Sequence, residues 1–428
     1  MKLNIKNLLS DKLIRGTFIL TVVSFLSSVL NYLVHPLLTR RLTIPEYGDY
    51  QALLSFLMVL SIVSTVIGTA FIREFSLLSA TAPEEIKSLR RRAAGRLFYF
   101  GLILFFLVFV FSGFLNRLFK ISQPTTIIFS ALSFICIFPL IINRALLSGR
   151  QYFSALSLSN FLDAFSRLVL VLILVVLQPL GLIGAALALG LGNLLPFFVS
   201  FWQVKKINLP AQVKQFSGSF KKIWRYGLLV LWFTALSQFF YNFDMLFVKS
   251  FFTPEEAGLY GALLTIGRIV YFIGGSISLV MFPVIANLKE DKSRHKYKIL
   301  GKSLALMSLL AIPAAAFIAL FPKLVIKIIV GAKYLSIADY LPLFSLVILL
   351  LTLITVLSQY FLALAKRRGL IVLTVAAVGE VMLLALFHSD IWSVIYSLLF
   401  IFSVTVITLL ILLGIGYKAT NKELEVKI

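Results

Sequence analysis

The stretch TIPEYGDYQALL, residues 43–54, returns 210 positions later as TPEEAGLYGALL, residues 253–264. At this fixed offset seven of the twelve positions are identical, whereas chance gives roughly one match in so apolar a chain. Each copy lies between two long apolar runs. We interpret the two stretches as copies of one structural unit and divide the chain into residues 1–210 and 211–428. Two same-direction halves in a membrane are typical of transporters that rock about a central site.

Composition excludes a water-soluble protein. Hydrophobic residues make up 60% of the 428, charged residues only 13%, and the mean hydropathy is +1.00. Because a bilayer core takes about 20 apolar residues per helix, the sequence predicts an all-α membrane protein with about 12 transmembrane helices in two six-helix lobes. The segments are centred near Val23, Val63, Phe105, Phe134, Leu168, Leu189, Leu236, Ile273, Leu309, Leu349, Val378 and Ile407.

The net charge of +23 is distributed unevenly along the chain. With the N-terminus inside, 28 of the 40 Lys and Arg residues fall on the inner face, 8 on the outer face and 4 within segments. This bias is typical of a membrane protein with both termini in the cytoplasm. It favours contact with anionic lipid headgroups over nucleic acid as the reason for the charge.

Enzyme motifs are missing from the sequence. The histidines His35, His295 and His388 do not have metal-ligand spacing, and neither a phosphate-binding P-loop nor a G-x-S-x-G turn occurs. The single Cys136 fits a small buried hydrophobe. We therefore expect no enzyme activity, no metal and no cofactor.

Ionisable residues within the apolar segments are the candidate functional residues, because each costs about 2.5–3.5 kcal/mol at mid-helix unless it has a partner or a wet cavity. The proposed substrate-binding residues are the arginines Arg73, Arg144, Arg167 and Arg268. Arginine suits phosphate because its planar group donates two parallel hydrogen bonds and stays charged. The proposed charge partners or ion-coupling residues are Asp163, Asp244 and Glu380.

Structural interpretations of the same residues stay open. Arg73 and Arg144 would serve equally well as side chains that reach the inner headgroups. Asp163 and Arg167 are four residues apart, so they can form an intrahelical pair. For Asp244 the alternative is a local pair near Lys249, and Glu380 needs either an arginine from another helix or a proton.

Four stretches carry a resemblance to a known family. They are LLTRRLTIPEYGDYQALLS (residues 37–55), ALLSGRQYFSALSLSN (145–160), NFDMLFVKSFFTPEEAGLYGALLTI (242–266) and IIVGAKY (328–334). On these residues, and on helix number and order, the chain resembles the polysaccharide-transporter branch of the multidrug/oligosaccharidyl-lipid/polysaccharide exporter superfamily. This branch contains flippases for lipid-linked oligosaccharides.

The resemblance implies two six-helix lobes related by a pseudo-two-fold axis along the membrane normal. It implies that the protein moves an undecaprenyl-diphosphate-linked oligosaccharide across the cytoplasmic membrane of a prokaryote by alternating access. Arg73 and Arg268 lie on the helices whose arginines engage the diphosphate in related flippases, and Asp244 matches an acidic position of the branch. Twelve helices favour a surface-polysaccharide or teichoic-type unit over the peptidoglycan precursor.

The expected partners are the polyprenyl-diphosphate glycolipid, membrane lipids and glycan-assembly proteins, with no nucleic acid, and we expect a monomer. The coupling ion, H⁺ or Na⁺, stays open. One alternative is a cation-coupled drug or metabolite exporter of the same superfamily, which would favour an acidic, aromatic-lined site. A membrane polysaccharide polymerase is a further alternative, disfavoured because the outer loops are short.

Overall fold

A computed structural model describes residues 12–207, 214, 216, 220–286, 288, 293–364 and 367–425. Every regular element in these residues is helical. The first helices are α1 (Lys12–Arg41), α2 (Ile44–Leu60), α3 (Ile62–Thr81), α4 (Ile86–Val110), α5 (Ser112–Phe119), α6 (Thr125–Ala131), α7 (Ser133–Gly149), α8 (Phe153–Val171), α9 (Gly181–Leu191) and α10 (Leu194–Lys205). A 3₁₀ turn, Pro83–Glu85, precedes α4, and a π-helical turn, Leu172–Leu177, continues α8.

The remaining helices begin at Phe220. They are α11 (Phe220–Phe251), α12 (Pro254–Ala286), α13 (Ser293–Leu320), α14 (Pro322–Ile329), α15 (Leu341–Ala363), α16 (Arg367–Leu386) and α17 (Ile391–Glu425), with a 3₁₀ turn at Ala332–Ile337. The chain separates into two compact units, the first ending at Thr234 and the second beginning at Ala235. The predicted division after residue 210 stays a prediction.

Eleven helical spans in the described residues are long and apolar enough to cross a membrane. They match eleven of the twelve predicted segments, and the predicted seventh segment falls on α11, whose side chains are described from Leu231 onward. Helices α2 and α3 meet at Ser61 and form a single 38-residue span, Ile44–Thr81. The chain is therefore a multi-pass membrane protein.

The repeated stretch forms the same local structure in both units. Glu46 N donates to Thr43 Oγ1 at 3.3 Å and Thr43 N donates to Glu46 Oε2 at 2.9 Å, which is a reciprocal capping box at the start of α2. The second copy repeats both bonds where α12 begins: Glu256 N donates to Thr253 Oγ1 at 3.3 Å, and Thr253 N donates to Glu256 Oε2 at 3.0 Å. The matched Thr and Glu of the repeat thus start a helix in each unit.

Helices within each unit pack closely where glycine removes the side chain. In the first unit α4 packs on α7, and a Cβ at Gly101 would lie 2.3 Å from the backbone oxygen of Phe134. In the second unit α12 packs on α15, and a Cβ at Gly274 would lie 2.4 Å from Thr352 Cγ2. Small residues at such contacts let backbones approach in a membrane, where burial of apolar surface drives little association.

Lys249 departs from its predicted environment. The charge count places it with the outer loop, yet its side chain is only 1% exposed within the second unit. It lies in the last turn of α11, where a cation interacts favourably with the helix dipole.

Candidate functional site

Two arginines share one carboxylate in the first unit. Arg144 on α7 contacts Asp163 on α8, with 3.2 Å between Arg144 Nη1 and Asp163 Oδ2. Arg167, one turn further along α8, contacts the other carboxylate oxygen at 3.3 Å. The predicted pair of Asp163 and Arg167 is therefore confirmed, and Arg144 joins it from the neighbouring helix.

Further hydrogen bonds fix the orientation of both guanidinium groups. Arg144 donates from Nε to Ser159 Oγ at 3.0 Å and from Nη2 to the Ser159 carbonyl at 2.8 Å. Arg167 donates from Nη1 to Asn31 Oδ1 on α1 at 3.3 Å. Helices α1, α7 and α8 thus hold the cluster in place.

The cluster carries an excess of positive charge. Two guanidinium groups face one carboxylate, and the side chains of Arg144, Arg167 and Asp163 are 16%, 22% and 23% exposed. An arginine offers five N–H donors, so the donors left over can bind a further acceptor. The arrangement is therefore suited to an anion that reaches it from the partly exposed side.

The second unit contains a cavity bordered mainly by aromatic and aliphatic side chains. The residues that line it are Phe240, Tyr241, Asp244, Leu264, Arg268, Tyr271, Phe344, Val347, Ile348, Leu351, Leu398 and Phe402. These residues come from α11, α12, α15 and α17. Asp244 and Arg268 are its two charged residues.

Asp244 is anchored by two donors. Tyr260 on α12 donates its hydroxyl to Asp244 Oδ2 at 2.7 Å, and the Met245 backbone N–H donates to Oδ1 at 2.8 Å. Tyr260 belongs to the repeated stretch and is fully buried. The described partner of Asp244 from another helix is thus Tyr260, whereas the local alternative near Lys249 stays a prediction.

Arg268 lies over an aromatic ring. Its Cζ is 4.8 Å from the ring centroid of Tyr241, and that ring is 4.5 Å from the ring of Tyr271. A guanidinium over an aromatic face gains a cation–π interaction that is stronger when water is excluded. Arg268 is buried, so this contact replaces part of its lost hydration.

Glu380 on α16 is fully buried in the second unit. Within the described part of the chain, neither of its carboxylate oxygens has a hydrogen-bond partner. It lies within electrostatic range of Asp244 and Tyr260. A buried carboxyl group in this position requires a proton or a cation to offset its lost hydration.

The candidate residues therefore fall into three places. Arg144, Arg167 and Asp163 come together in the first unit, and Asp244 and Arg268 line the cavity of the second unit, with Glu380 nearby. Arg73 lies elsewhere, exposed on α3. No group of three or more His, Cys, Asp or Glu side chains with metal-binding geometry occurs in the described ranges.

Sequence reasoning missed the uncharged members of these sites. They are Asn31, Ser159, Tyr241 and Tyr260. A signal for Ser159 exists, since Ser159, Asp163 and Arg167 are spaced four apart on one helix face. Tyr241 and Arg268 lie on different helices, so their contact leaves no spacing pattern in the sequence.

Comparison with known proteins identifies relatives. A family model described as polysaccharide biosynthesis protein matches residues 90–339, which is more than half of the chain. A search of curated protein sequences finds no match.

Solved structures share the fold at low sequence identity. The lipid II flippase MurJ in an inward closed conformation superimposes with a TM-score of 0.72 at 15% identity, covering 93% of this chain and 87% of the other. An inward-facing multidrug resistance MATE family transporter of the MOP superfamily gives 0.73 at 14%, with 93% and 99% covered. A MOP superfamily transporter from Pyrococcus furiosus gives 0.65 at 14%, with 94% and 95% covered.

These likenesses confirm the predicted all-α membrane fold, and the family match confirms the predicted family resemblance. The helical architecture and the family match over residues 90–339 both point to a membrane protein of this family. The chain belongs to the polysaccharide biosynthesis protein family and has the fold of the MOP superfamily of transporters.

Proposed function

We propose that the protein is a flippase that moves an undecaprenyl-diphosphate-linked oligosaccharide, the repeat unit of a surface polysaccharide, across the cytoplasmic membrane by alternating access. The observation that carries the proposal is the cluster in which Arg144 and Arg167 share Asp163. Membership of a polysaccharide biosynthesis family and a fold shared with a lipid II flippase support it.

The physical task explains why arginines are needed. A diphosphate with its sugars cannot enter hydrocarbon unaided, because removing water from its charges costs too much free energy. Guanidinium groups fixed within the span replace that water and stay charged at low dielectric. A single shared carboxylate holds Arg144 and Arg167 in position and leaves a net positive charge for the diphosphate.

Ion coupling is assigned to the second unit in this proposal. Asp244 and Glu380 are both buried there, and Glu380 lacks a hydrogen-bond partner within the described residues. Binding of H⁺ or Na⁺ at these carboxylates would supply the charge that Glu380 requires. The protein would act as a monomer with both termini in the cytoplasm, beside the proteins that assemble the glycan.

A binding experiment tests the assignment of the arginines. The full-length protein is reconstituted in lipid nanodiscs and titrated with a short-chain polyprenyl-diphosphate disaccharide. We expect Arg144→Gln with Arg167→Gln to weaken binding at least about tenfold, because two charge-assisted contacts are lost. Arg117→Gln, at an exposed arginine on α5, is the matched control and should bind like the wild type. Equal affinity of the double variant and the control would contradict the proposal.

A cation-coupled exporter is the second candidate, and one observation favours it. The cavity of the second unit combines Asp244 with aromatic walls, which is the kind of lining that the exporter alternative predicts, although Arg268 opposes a cation there. Rhodamine 6G separates the two functions. Binding of the dye that is lost in Asp244→Asn, together with no binding of the glycolipid, would establish the exporter.

A further inference from the structure

The ends of α4 and α10 in the first unit carry a cluster of cations and aromatic rings. We propose that this cluster binds the headgroup phosphate of an anionic phospholipid, with Arg90 and Lys205 as its cationic contacts. None of Arg144, Asp163 and Arg167 belongs to this cluster, and it binds a structural membrane lipid rather than a transported one.

Two cations gather around one ring in this cluster. Lys205 Nζ lies 4.7 Å from the ring centroid of Phe201, and Arg90 Cζ lies 5.7 Å from the same centroid. Among the residues with described side chains, neither cation forms an ion pair with a carboxylate. Both cations border the same ring without an acidic partner in the described residues, so an anionic headgroup beside that ring gains from each of them.

Arg90 is held by buried partners and does not hang freely at the surface. Its Nη1 donates to Asn143 Oδ1 at 3.1 Å, and Asn143 Nδ2 donates to Ser200 Oγ at 3.1 Å. Asn143 and Ser200 are both buried. This chain of bonds holds the guanidinium group through Nη1, so Nη2 keeps its donors for a further acceptor.

The surroundings of the two cations select a lipid over a free phosphate. Phe198 is 63% exposed and Trp202 is 56% exposed on α10, next to Phe201. Lys206 Nζ lies 3.5 Å from the ring centroid of Trp202. In a multi-pass membrane protein such exposed rings at a helix end contact the region where acyl chains meet headgroups. The ligand therefore has an apolar part beside the rings and an anionic group beside Arg90 and Lys205.

The charge of the site selects among phospholipids. A headgroup with a net negative charge, such as that of phosphatidylglycerol, gains from both cations. The headgroup of phosphatidylcholine brings its own quaternary ammonium, which the cations of the site repel. Preference for phosphatidylglycerol is the expected property of this site.

The test is lipid titration of the delipidated, purified full-length protein, with bound lipid counted by native mass spectrometry. We expect Arg90→Gln and Lys205→Gln each to weaken phosphatidylglycerol binding about fivefold, with weak phosphatidylcholine binding unchanged. Arg91→Gln removes the neighbouring exposed charge on α4 and should change binding less than about twofold. Thermal midpoints are measured for every variant. Should Arg90→Gln fail to fold, Lys205→Gln decides the outcome alone.

Three results would overturn the proposal. An equal loss in Arg91→Gln would show that only diffuse surface charge matters. Equal affinity for the two lipids in the wild type would exclude selection by charge. Competition by millimolar inorganic phosphate as effective as competition by phosphatidylglycerol would assign the site to a free anion.

Discussion

Arg144 on α7 and Asp163 on α8 form an ion pair 3.2 Å long, although 19 residues separate them in the chain. The pair ties two consecutive helices of the first unit together inside a segment that the membrane surrounds. Because Arg167 uses the second oxygen of the same carboxylate, Asp163 is the residue on which both arginines depend.

Replacing this shared carboxylate should destabilise the protein. Asp163→Asn leaves Arg144 and Arg167 close together without a counter-charge, and we expect a loss of about 2 kcal/mol. The thermal unfolding midpoint in detergent, followed by tryptophan fluorescence, measures the change. Asp339→Asn, at an exposed aspartate, should leave the midpoint unchanged. A midpoint that falls equally in both variants would show that the shared carboxylate has no special role.

Removing the hydroxyl of Tyr260 tests the anchoring of Asp244. Tyr260→Phe deletes the 2.7 Å hydrogen bond and leaves Oδ2 of a buried carboxylate with one donor fewer. The expected cost is about 1.5–3 kcal/mol, typical of a hydrogen bond to a charged group. Tyr396→Phe, at an exposed tyrosine on α17, is the control and should cost less than about 0.5 kcal/mol. Similar unfolding midpoints for the two variants would contradict the role of Tyr260.

A pair of glycines on α4 tests the close packing of the first unit. At Gly101 an added Cβ would lie 2.3 Å from the Phe134 backbone oxygen, whereas at Gly95 no atom lies within 4 Å of it. Gly101→Ala should therefore cost about 2 kcal/mol or more, because backbone must move to accept it. Gly95→Ala should be neutral or stabilising by up to about 1 kcal/mol, since alanine is the better helix former. Both variants are compared by the yield of folded protein after size-exclusion chromatography and by the thermal unfolding midpoint. A Gly101→Ala variant as stable as the wild type would contradict the close contact with Phe134.

Neutralising Glu380 tests ion coupling. Glu380→Gln keeps the shape of a side chain whose oxygens have no partner in the described residues, so folding should be unaffected. We expect glycolipid translocation in proteoliposomes to lose its dependence on an imposed proton or sodium gradient, while glycolipid binding is retained. Glu255→Gln, at an exposed glutamate of α12, should respond to the gradient as the wild type does. An unchanged gradient response in Glu380→Gln would remove this residue from coupling.

Thiol labelling tests the predicted orientation. Cys136 is buried, so it gives a low background in intact cells. Arg91→Cys lies at an end predicted to be cytoplasmic, and Lys323→Cys lies at one predicted to be outside. An impermeant maleimide should label Lys323→Cys in intact cells and Arg91→Cys only after the cells are opened. The opposite pattern would invert the topology.

Local patterns in the sequence predicted local structure well. The repeated stretch predicted two copies of one structural unit, and both copies form the same capped helix start. The spacing of Asp163 and Arg167 predicted that the two can pair, and they do. Both depend on residues three or four apart, whose relation a helix fixes by itself.

Contacts between helices were beyond the same reasoning. The sequence left open whether Arg144 reaches the headgroups or a partner. In the structure α7 packs on α8, and Arg144 pairs with Asp163. Similarly, Arg268 meets Tyr241 from another helix, and Arg73 on α3 is exposed although its segment is equally apolar. Composition predicted where the apolar spans lie, eleven of which are found in the described residues, whereas the rotation of each helix about its axis follows from packing among neighbours.

The two capping boxes, at the starts of α2 and α12, are made entirely from local contacts, which matters for how the protein folds during synthesis. All the bonds of each turn join residues three apart, Thr43 with Glu46 and Thr253 with Glu256, so neither turn needs any distant part of the chain. Each can close as soon as its own few residues have left the ribosome. During synthesis the helix start at Thr43 can therefore form long before the equivalent start at Thr253 exists.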